Sequence, residues 1–154
     1  MNIRPYDSRD LPHIAEIYTA SIHSLAAPYY SPEQLTAWAP ANVDLARWRQ
    51  RLAALQTIVA EDDGVLAGFA SWKSDGYLDL LFTHPKFARR GVASRLYLQI
   101  ETSLREAPVS RIFTHASLAA RPFFERQGFQ IEADESVECR GQHLRRFRMH
   151  KHLT

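Results

Sequence analysis

Hydrophobic positions follow two spacings along the chain, and the change from one to the other separates predicted strands from predicted helices. Short apolar or β-branched runs indicate strands, whereas apolar residues at i, i+3, i+4 and i+7 indicate helices. Strands are predicted at 2–6, 57–60, 65–72, 77–82, 111–116, 130–137 and 144–150. Helices are predicted at 11–25, 32–39, 45–55, 92–104 and 119–127.

Turn and cap residues set the predicted connections between these elements. Asp63-Gly64 and Asp75-Gly76 are hairpin dipeptides, so three consecutive antiparallel strands are expected across the middle of the chain. Ser31-Pro32-Glu33-Gln34 has the form of a capping box, and Asp44 can cap the next helix. The helix between the fourth and fifth strands indicates that those two strands run parallel. The predicted fold is therefore α/β (α+β), with a mixed, mostly antiparallel sheet of about six or seven strands flanked by helices.

The stretch from the fourth strand into the following helix has an unusual charge pattern. Arg89 and Arg90 stand at the helix start, and no acidic or hydroxyl residue precedes Gly91 as an N-cap. Cations there oppose the helix dipole, whereas a bound phosphate would accept hydrogen bonds from the free amides and pair with the arginines. The residues alone leave two interpretations, a phosphate site or an ordinary loop with two solvated arginines. Neither the P-loop pattern nor GxGxxG is present.

Composition narrows the class of protein further. The chain has 154 residues, 45% of them hydrophobic, and a formal charge of +2, which suits a single domain over 1–154 and argues against nucleic acid as the main partner. Cys139 is the only cysteine, and no metal-ligand motif occurs, so no metal site is predicted. The sequence has no apolar run of membrane-spanning length and no signal-peptide core, so no membrane partner and a cytoplasmic location are expected.

Two segments carry a resemblance to a known family. FTHPKFARRGVASRLY resembles the [RQ]xxGx[GA] pyrophosphate segment of the GCN5-related N-acetyltransferases, with Ala88 in place of Arg or Gln. AARPFFERQGF is similar to the second family signature, NxxAxxxYxxxGF, with Ser117 in place of Asn and Phe124 in place of Tyr. The tail VECRGQHLRRFRMHK resembles the small bacterial YafP-like branch. The resemblance implies the family fold, acetyl-CoA as cofactor, and transfer of its acetyl group to an amine.

The same resemblance implies where the cofactor binds. The parallel fourth and fifth strands splay apart, and pantetheine fills the slot between them while the pyrophosphate lies at the helix start. The expected cofactor-binding residues are Leu81, Phe82, Thr83, Arg89, Arg90, Gly91, Val92, Ala93 and Ser94. A backbone N–H of the fourth strand would polarise the thioester carbonyl, and the amine would attack directly.

The proton-transfer groups are less determined. Asp79 is the candidate base, a carboxylate in an apolar strand expected on the same face as Tyr77 and Leu81, although it can equally face solvent or pair with a basic neighbour. Phe124 has no hydroxyl with which to protonate the thiolate, so the acid is water or one of three other residues. These are Tyr97, His115 and Cys139.

Several further alternatives concern the partners. Tyr29, Tyr30 and Trp38 either line the acceptor pocket or pack in the core. The last predicted strand is rich in arginine and lysine, which either bind an acidic partner or form a solvated basic edge. A small-molecule amine is the expected acceptor. The rival functions are a non-catalytic acyl-CoA-binding regulator and a protein or aminoacyl-tRNA acetyltransferase, and the chain is expected to be a monomer or homodimer.

Overall fold

The computed structural model describes residues 1–153, and its central feature is a seven-stranded sheet in the order β1-β2-β3-β4-β5-β7-β6. The strands are β1 (Asn2–Pro5), β2 (Gln56–Asp62), β3 (Val65–Trp72), β4 (Tyr77–Thr83), β5 (Arg111–Ser117), β6 (Gln130–Cys139) and β7 (Gln142–His152). The helices are α1 (Leu11–Leu25), α2 (Pro32–Trp38), α3 (Leu45–Ala53), α4 (Val92–Arg105) and α5 (Arg121–Arg126). Among the strands of residues 1–153, only β4 and β5 pair in parallel, so the predicted fold class is confirmed.

Local residue chemistry explains most of the connections. Asp63 and Gly64 both have positive φ, at 50° and 79°, as a tight two-residue hairpin between β2 and β3 requires. The predicted capping box of α2 is present, because Gln34 N–H donates to Ser31 Oγ at 3.1 Å and Ser31 N–H donates to the Gln34 side chain at 2.8 Å. The Asp44 carboxylate likewise caps α3, accepting from the Arg47 amide at 3.1 Å.

The helices cover the two faces of the sheet with separate apolar clusters. On one face α4 buries Leu96, Ile100 and Leu104 against the strands. On the other face α1 and α3 pack against β2, β3 and β4, with Ile14 of α1 among the fully buried residues. Within residues 1–153 no helix is both long enough and apolar enough to cross a membrane.

The expectation of a basic edge along the last strand is wrong. β7 lies between β5 and β6 in the interior of the sheet, so its backbone is paired on both sides. Arg145 forms an ion pair with Asp134 at 2.7 Å, and Arg146 pairs with Glu135 at 3.1 Å. The acidic residues come from β6, which the sequence pattern did not place beside β7.

Candidate functional site

A slot opens in the sheet where β4 and β5 separate. The two strands pair only at Tyr77–Phe113 and Leu78–Thr114, and Thr114 Oγ1 donates to the Leu78 carbonyl at 2.8 Å. Directly beyond this point β4 is irregular, because Leu78 lies opposite Trp72 while Leu80 lies opposite the adjacent Ser71. Asp79 is therefore the extra residue of a β-bulge, which bends a strand and increases its twist. The bulge marks the narrow end of the slot.

The backbone of β4 beyond the bulge has free hydrogen-bonding groups on its slot side. The His84 amide donates to the Ala67 carbonyl of β3 at 2.8 Å. Because backbone groups point alternately to the two sides of a strand, Leu81 and Thr83 direct theirs away from β3 and toward β5. The β4–β5 pairing has already ended at Leu78, so these groups face the slot without a strand partner.

One cavity of about 370 Å³ joins this slot to the start of α4. Its lining includes the end of β4, the turn before α4 and parts of α1 and α5. Of the nine residues predicted to bind the cofactor, all but one line it. These eight are Leu81, Phe82, Thr83, Arg89, Gly91, Val92, Ala93 and Ser94. The exception is Arg90, whose guanidinium lies 5.6 Å from the centre of the Phe87 ring.

The start of α4 has the geometry of an anion-binding turn. Gly91 is the N-cap residue with φ 78°, and no side chain caps the helix. The amides of Val92, Ala93 and Ser94 lie in the first turn, where a helix offers them no internal acceptor. Arg89 also has a positive φ, 61°, so the turn is strained for a non-glycine residue. A Cβ placed on Gly91 would meet nothing within 4 Å, so the approach to these amides is open.

The Asp79 side chain lies on the opposite face of the sheet from Leu81, although the sequence predicted that the two share one face. Its carboxylate pairs with Arg51 of α3, with Nη2 and Oδ1 3.2 Å apart, and its side chain is 17% exposed. Leu81 instead contacts the cluster that packs under α4. The bulge explains this difference, because one extra residue reverses the alternation of side chains along the strand.

None of the three alternatives for the general acid lines the slot cavity. Tyr97 is 2% exposed and its hydroxyl donates to Glu101 at 2.6 Å, and burial together with this carboxylate raises the pKa of Tyr97. His115 shares a 2.8 Å hydrogen bond with the Tyr77 hydroxyl, and burial and Arg146 lower the pKa of His115. Cys139 donates to the Ala37 carbonyl at 3.3 Å.

The two departures from the second signature have structural consequences. Phe124 lines the slot cavity but is only 3% exposed, and its ring contacts Phe129 edge-on at 5.0 Å. Ser117 also lines the cavity, and its hydroxyl accepts from the Ala120 amide at 3.1 Å. Ser117 therefore stabilises the turn between β5 and α5.

A second cavity, of about 310 Å³, lies beside α3. Trp38 lines both cavities, whereas Tyr30 is buried and bonds the Arg145 carbonyl at 2.7 Å, and Tyr29 is 48% exposed. The sequence pattern assigned no functional residue to α1 or α3. The aromatic and basic lining residues that it missed are Tyr18, Arg47, Trp48 and Arg51. Their signal in the sequence is the close spacing of Arg47, Trp48 and Arg51 on one helix.

Comparison with known proteins gives consistent matches. The family model "Acetyltransferase (GNAT) domain" matches residues 26–153. A curated protein of Escherichia coli (strain K12), "Uncharacterized N-acetyltransferase YafP", is 38% identical over 149 residues, covering 97% of this chain and 94% of the relative. A crystal structure from Rhodopseudomonas palustris, described as "GCN5-Related N-acetyltransferase: Aminotransferase, Class-II", has a TM-score of 0.95 at 34% identity and covers 99% of this chain and 95% of that one.

A further match concerns the fold alone. The structure of YncA, a putative acetyltransferase from Salmonella typhimurium with its cofactor acetyl-CoA, has a TM-score of 0.71 at 23% identity. It covers 100% of this chain and 94% of its own.

Proposed function

Since the chain belongs to the GNAT family of acetyltransferases and is an acetyl-CoA-dependent N-acetyltransferase, we propose that its acceptor is a small-molecule amine. The amine nitrogen attacks the thioester carbonyl directly. The observation that carries the proposal is the single cavity that connects the β4 slot with the uncapped start of α4. A ligand with a charged phosphate end and an extended thioester arm matches both parts of this cavity.

The turn before α4 would hold the pyrophosphate. The amides of Val92, Ala93 and Ser94 donate hydrogen bonds, Gly91 leaves room for the phosphate oxygens, and Arg89 neutralises charge. Arg90 would act at longer range, since its side chain packs on Phe87. Together these groups fix one end of acetyl-CoA, which supplies the activated acetyl group.

The free edge of β4 would hold the pantetheine arm. Leu81 and Thr83 offer backbone donors and acceptors to an extended chain in the slot, as a neighbouring strand would. Phe82 adds apolar contact to the cavity lining. A backbone N–H near the bulge would stabilise the negative charge that develops on the thioester oxygen.

Asp79 is the proposed base. It lies in the bulge at the narrow end of the slot, and its pairing with Arg51 connects it to the second cavity. Asp79 itself lines neither cavity, so its carboxylate would take a proton from the ammonium group of the acceptor through a bridging water. The departing thiolate would take its proton from water, because Phe124 offers no hydroxyl. Tyr97, His115 and Cys139 lie outside the slot, and they are hydrogen-bonded to Glu101, Tyr77 and the Ala37 carbonyl respectively.

Release of the CoA thiol tests this function. Acetyl-CoA is mixed with the protein and a panel of aliphatic and aromatic amines, and free thiol is measured against an amine-free control. We expect amine-dependent release with a matching amount of acetylated amine. Thiol release no faster than in the amine-free control, with every amine and with acetyl-CoA demonstrably bound, would contradict the proposal.

A further inference from the structure

The second cavity combines aromatic rings with positive charge. Three half-buried rings line it, from α1, α2 and α3, together with three guanidinium groups. The rings belong to Tyr18, Trp38 and Trp48, and the guanidinium groups to Arg47, Arg51 and Arg140. Asp44 contributes the one carboxylate in the lining, and its oxygen already accepts from the Arg47 amide to cap α3.

Two of the three arginines form no ion pair with a carboxylate of residues 1–153. Arg51 pairs with Asp79, so its charge is balanced. Arg140 Nη1 donates to the neutral Ala37 carbonyl at 2.6 Å, which orients the guanidinium without neutralising it. Arg47 forms no ion pair with any residue in 1–153, and it lies in the first turn of α3, where a cation opposes the helix dipole. The Asp44 carboxylate in the lining offsets one of these two charges, so the cavity retains one excess positive charge that an anionic ligand would relieve.

The aromatic rings of the cavity determine which apolar group its ligand can carry. The Trp48 ring is held by edge contacts to Tyr18 at 4.8 Å and Phe69 at 6.3 Å, and Trp38 is held by Tyr30 at 5.5 Å. Fixed, half-buried aromatic rings favour a flat apolar group, which stacks or packs edge-on against them. At about 310 Å³ the cavity suits one small molecule.

The cavity is placed to deliver an acceptor to the acetyl group. Trp38 belongs to the lining of both cavities. The Tyr18 ring contacts the Phe82 ring at 4.8 Å, and Phe82 lines the slot. Arg51, in the cavity wall, contacts Asp79, the proposed base. A ligand here would approach the slot from the α1–α3 side, while α4 lies on the other side of the sheet.

We propose that this cavity binds the acceptor, and that the acceptor is an amine that also carries a carboxylate and a planar ring. The proposal rests on the proposed acetyltransferase function and adds the class of acceptor. Arg47 and Arg140 bind the carboxylate, the ring packs against Trp38 and Trp48, and the amine points toward the slot. Guanidinium groups bind carboxylates through paired hydrogen bonds, so the charged group fixes the orientation of the molecule.

A binding experiment without turnover tests the site. The protein saturated with CoA is titrated with 3-phenylpropionate or with the neutral 3-phenylpropionamide, neither of which has an amine to acetylate. Tryptophan fluorescence reports binding, because Trp38 and Trp48 line the cavity and Trp72 is buried in the core. We expect the carboxylate to bind about tenfold more tightly or better.

Arginine variants test which residues produce the preference for the carboxylate probe. Arg47→Gln and Arg140→Gln should each reduce the preference for the carboxylate, whereas Arg49→Gln should retain it. Arg49 is the matched control, an exposed arginine on the same helix that does not line the cavity. Equal binding of the two probes, or an equal effect of all three variants, would overturn the proposal.

Turnover separates this proposal from the proposed function. Phenylalanine and phenylalanine amide are compared as acceptors by thiol release. Phenylalanine, which carries the carboxylate, should give the higher kcat/KM, and Arg47→Gln should reduce this difference. If both amines react equally and 3-phenylpropionate does not bind, the acceptor class is wrong and the acetyltransferase function stands. If 3-phenylpropionate binds through Arg47 and Arg140 but no amine of any class reacts, acetyl transfer is wrong and the anion site stands.

Discussion

Gly91 combines a left-handed backbone with open space in front of the first amides of α4. Its φ is 78°, and a Cβ at this position would meet no atom within 4 Å. Gly64 in the β2–β3 hairpin has nearly the same φ, 79°, and the same open surroundings. The two positions therefore impose similar backbone strain on a substitution but differ in what lies next to them.

We predict that Gly91→Val weakens CoA binding about tenfold or more, because the added side chain blocks phosphate from the first-turn amides. Gly64→Val should destabilise the fold by a similar amount, roughly 1–2 kcal/mol, without changing CoA affinity. Titration calorimetry gives the affinities and urea unfolding the stabilities. Equal CoA affinity in Gly91→Val and Gly64→Val would rule out the phosphate site.

Asp79 gives a prediction about pH. A base must remove a proton from the ammonium form of the amine, and this form predominates at low pH. Asp79→Asn should therefore lose most activity at low pH, with the ratio of wild-type to variant rate rising by up to about tenfold per pH unit below the pKa of the amine. The measurement is kcat/KM across pH for both proteins.

The alternative role of Asp79 has a different profile. If the carboxylate only positions Arg51, Asp79→Asn lowers the rate by a constant factor at every pH, because the amine's protonation does not depend on that contact. A constant factor would remove Asp79 as the base. Arg51→Gln serves as the matched comparison, since it breaks the same ion pair while keeping the carboxylate.

At the scale of elements, the sequence could predict the caps and turns that depend only on neighbouring residues. The capping box at Ser31 and the hairpin at Asp63-Gly64 depend on neighbouring residues, so both could be predicted. The bulge at Asp79 could not, because it is a mismatch in register between β4 and β3 and needs both strands. For the same reason the pairing of β7 arginines with β6 carboxylates, and the cavity beside α3, were not visible in one sequence.

The contact between α4 and β3 depends on Gly68. A Cβ there would lie 2.8 Å from the Phe82 carbonyl oxygen and 2.8 Å from Val92 Cγ1, closer than real Cβ contacts allow. We predict that Gly68→Ala destabilises the protein by roughly 1–3 kcal/mol and also weakens CoA binding, because α4 must move away from the slot. Gly64→Ala is the control for CoA affinity, because its positive φ of 79° also destabilises the fold while the new methyl group meets no atom within 4 Å. Unchanged CoA affinity in Gly68→Ala would show that the start of α4 does not depend on this contact.

β1 is tied to the start of α1 by a buried carboxylate. Asp10 accepts two hydrogen bonds of 2.9 Å from Arg4 and one of 2.9 Å from the Asp7 amide. Burial raises the pKa of Asp10, but the Arg4 and Asp7 hydrogen bonds outweigh it, so the pKa is lowered overall. A lowered folded-state pKa means that the carboxylate stabilises the fold above its unfolded pKa and loses this effect as pH falls through the folded pKa.

We therefore predict that Asp10→Asn is less stable than wild type by roughly 1–3 kcal/mol at neutral pH. The difference should stay constant down to about pH 5 and shrink below about pH 4, where Asp10 of the unfolded chain gains its proton while the folded carboxylate stays ionised to a lower pH. Urea unfolding at several pH values measures it. A difference that is independent of pH down to pH 2 would show that the charge of Asp10 does not contribute.

At the scale of the whole molecule, the slot separates two parts of the sheet. β1 to β4 form one part, and β5, β7 and β6 form the other. Between them only Tyr77 and Leu78 of β4 pair with β5, supplemented by side-chain bonds such as Tyr77 to His115 at 2.8 Å. The remaining length of the junction is the cavity itself. A ligand in the slot would therefore bond both parts at once.

This arrangement predicts that acetyl-CoA stabilises the whole protein against heat. At about 100 times its dissociation constant, a ligand that binds only the folded state adds about 2.7 kcal/mol, which for a domain of this size raises Tm by roughly 5–10 °C. Thermal unfolding with and without acetyl-CoA measures the shift, and Gly91→Val, with its weaker phosphate contact, should show a smaller one at the same concentration. Because the ligand bridges both parts of the sheet, one cooperative transition should move as a unit. An unchanged Tm at millimolar acetyl-CoA would contradict binding in the slot, whereas two separated transitions would contradict the bridging.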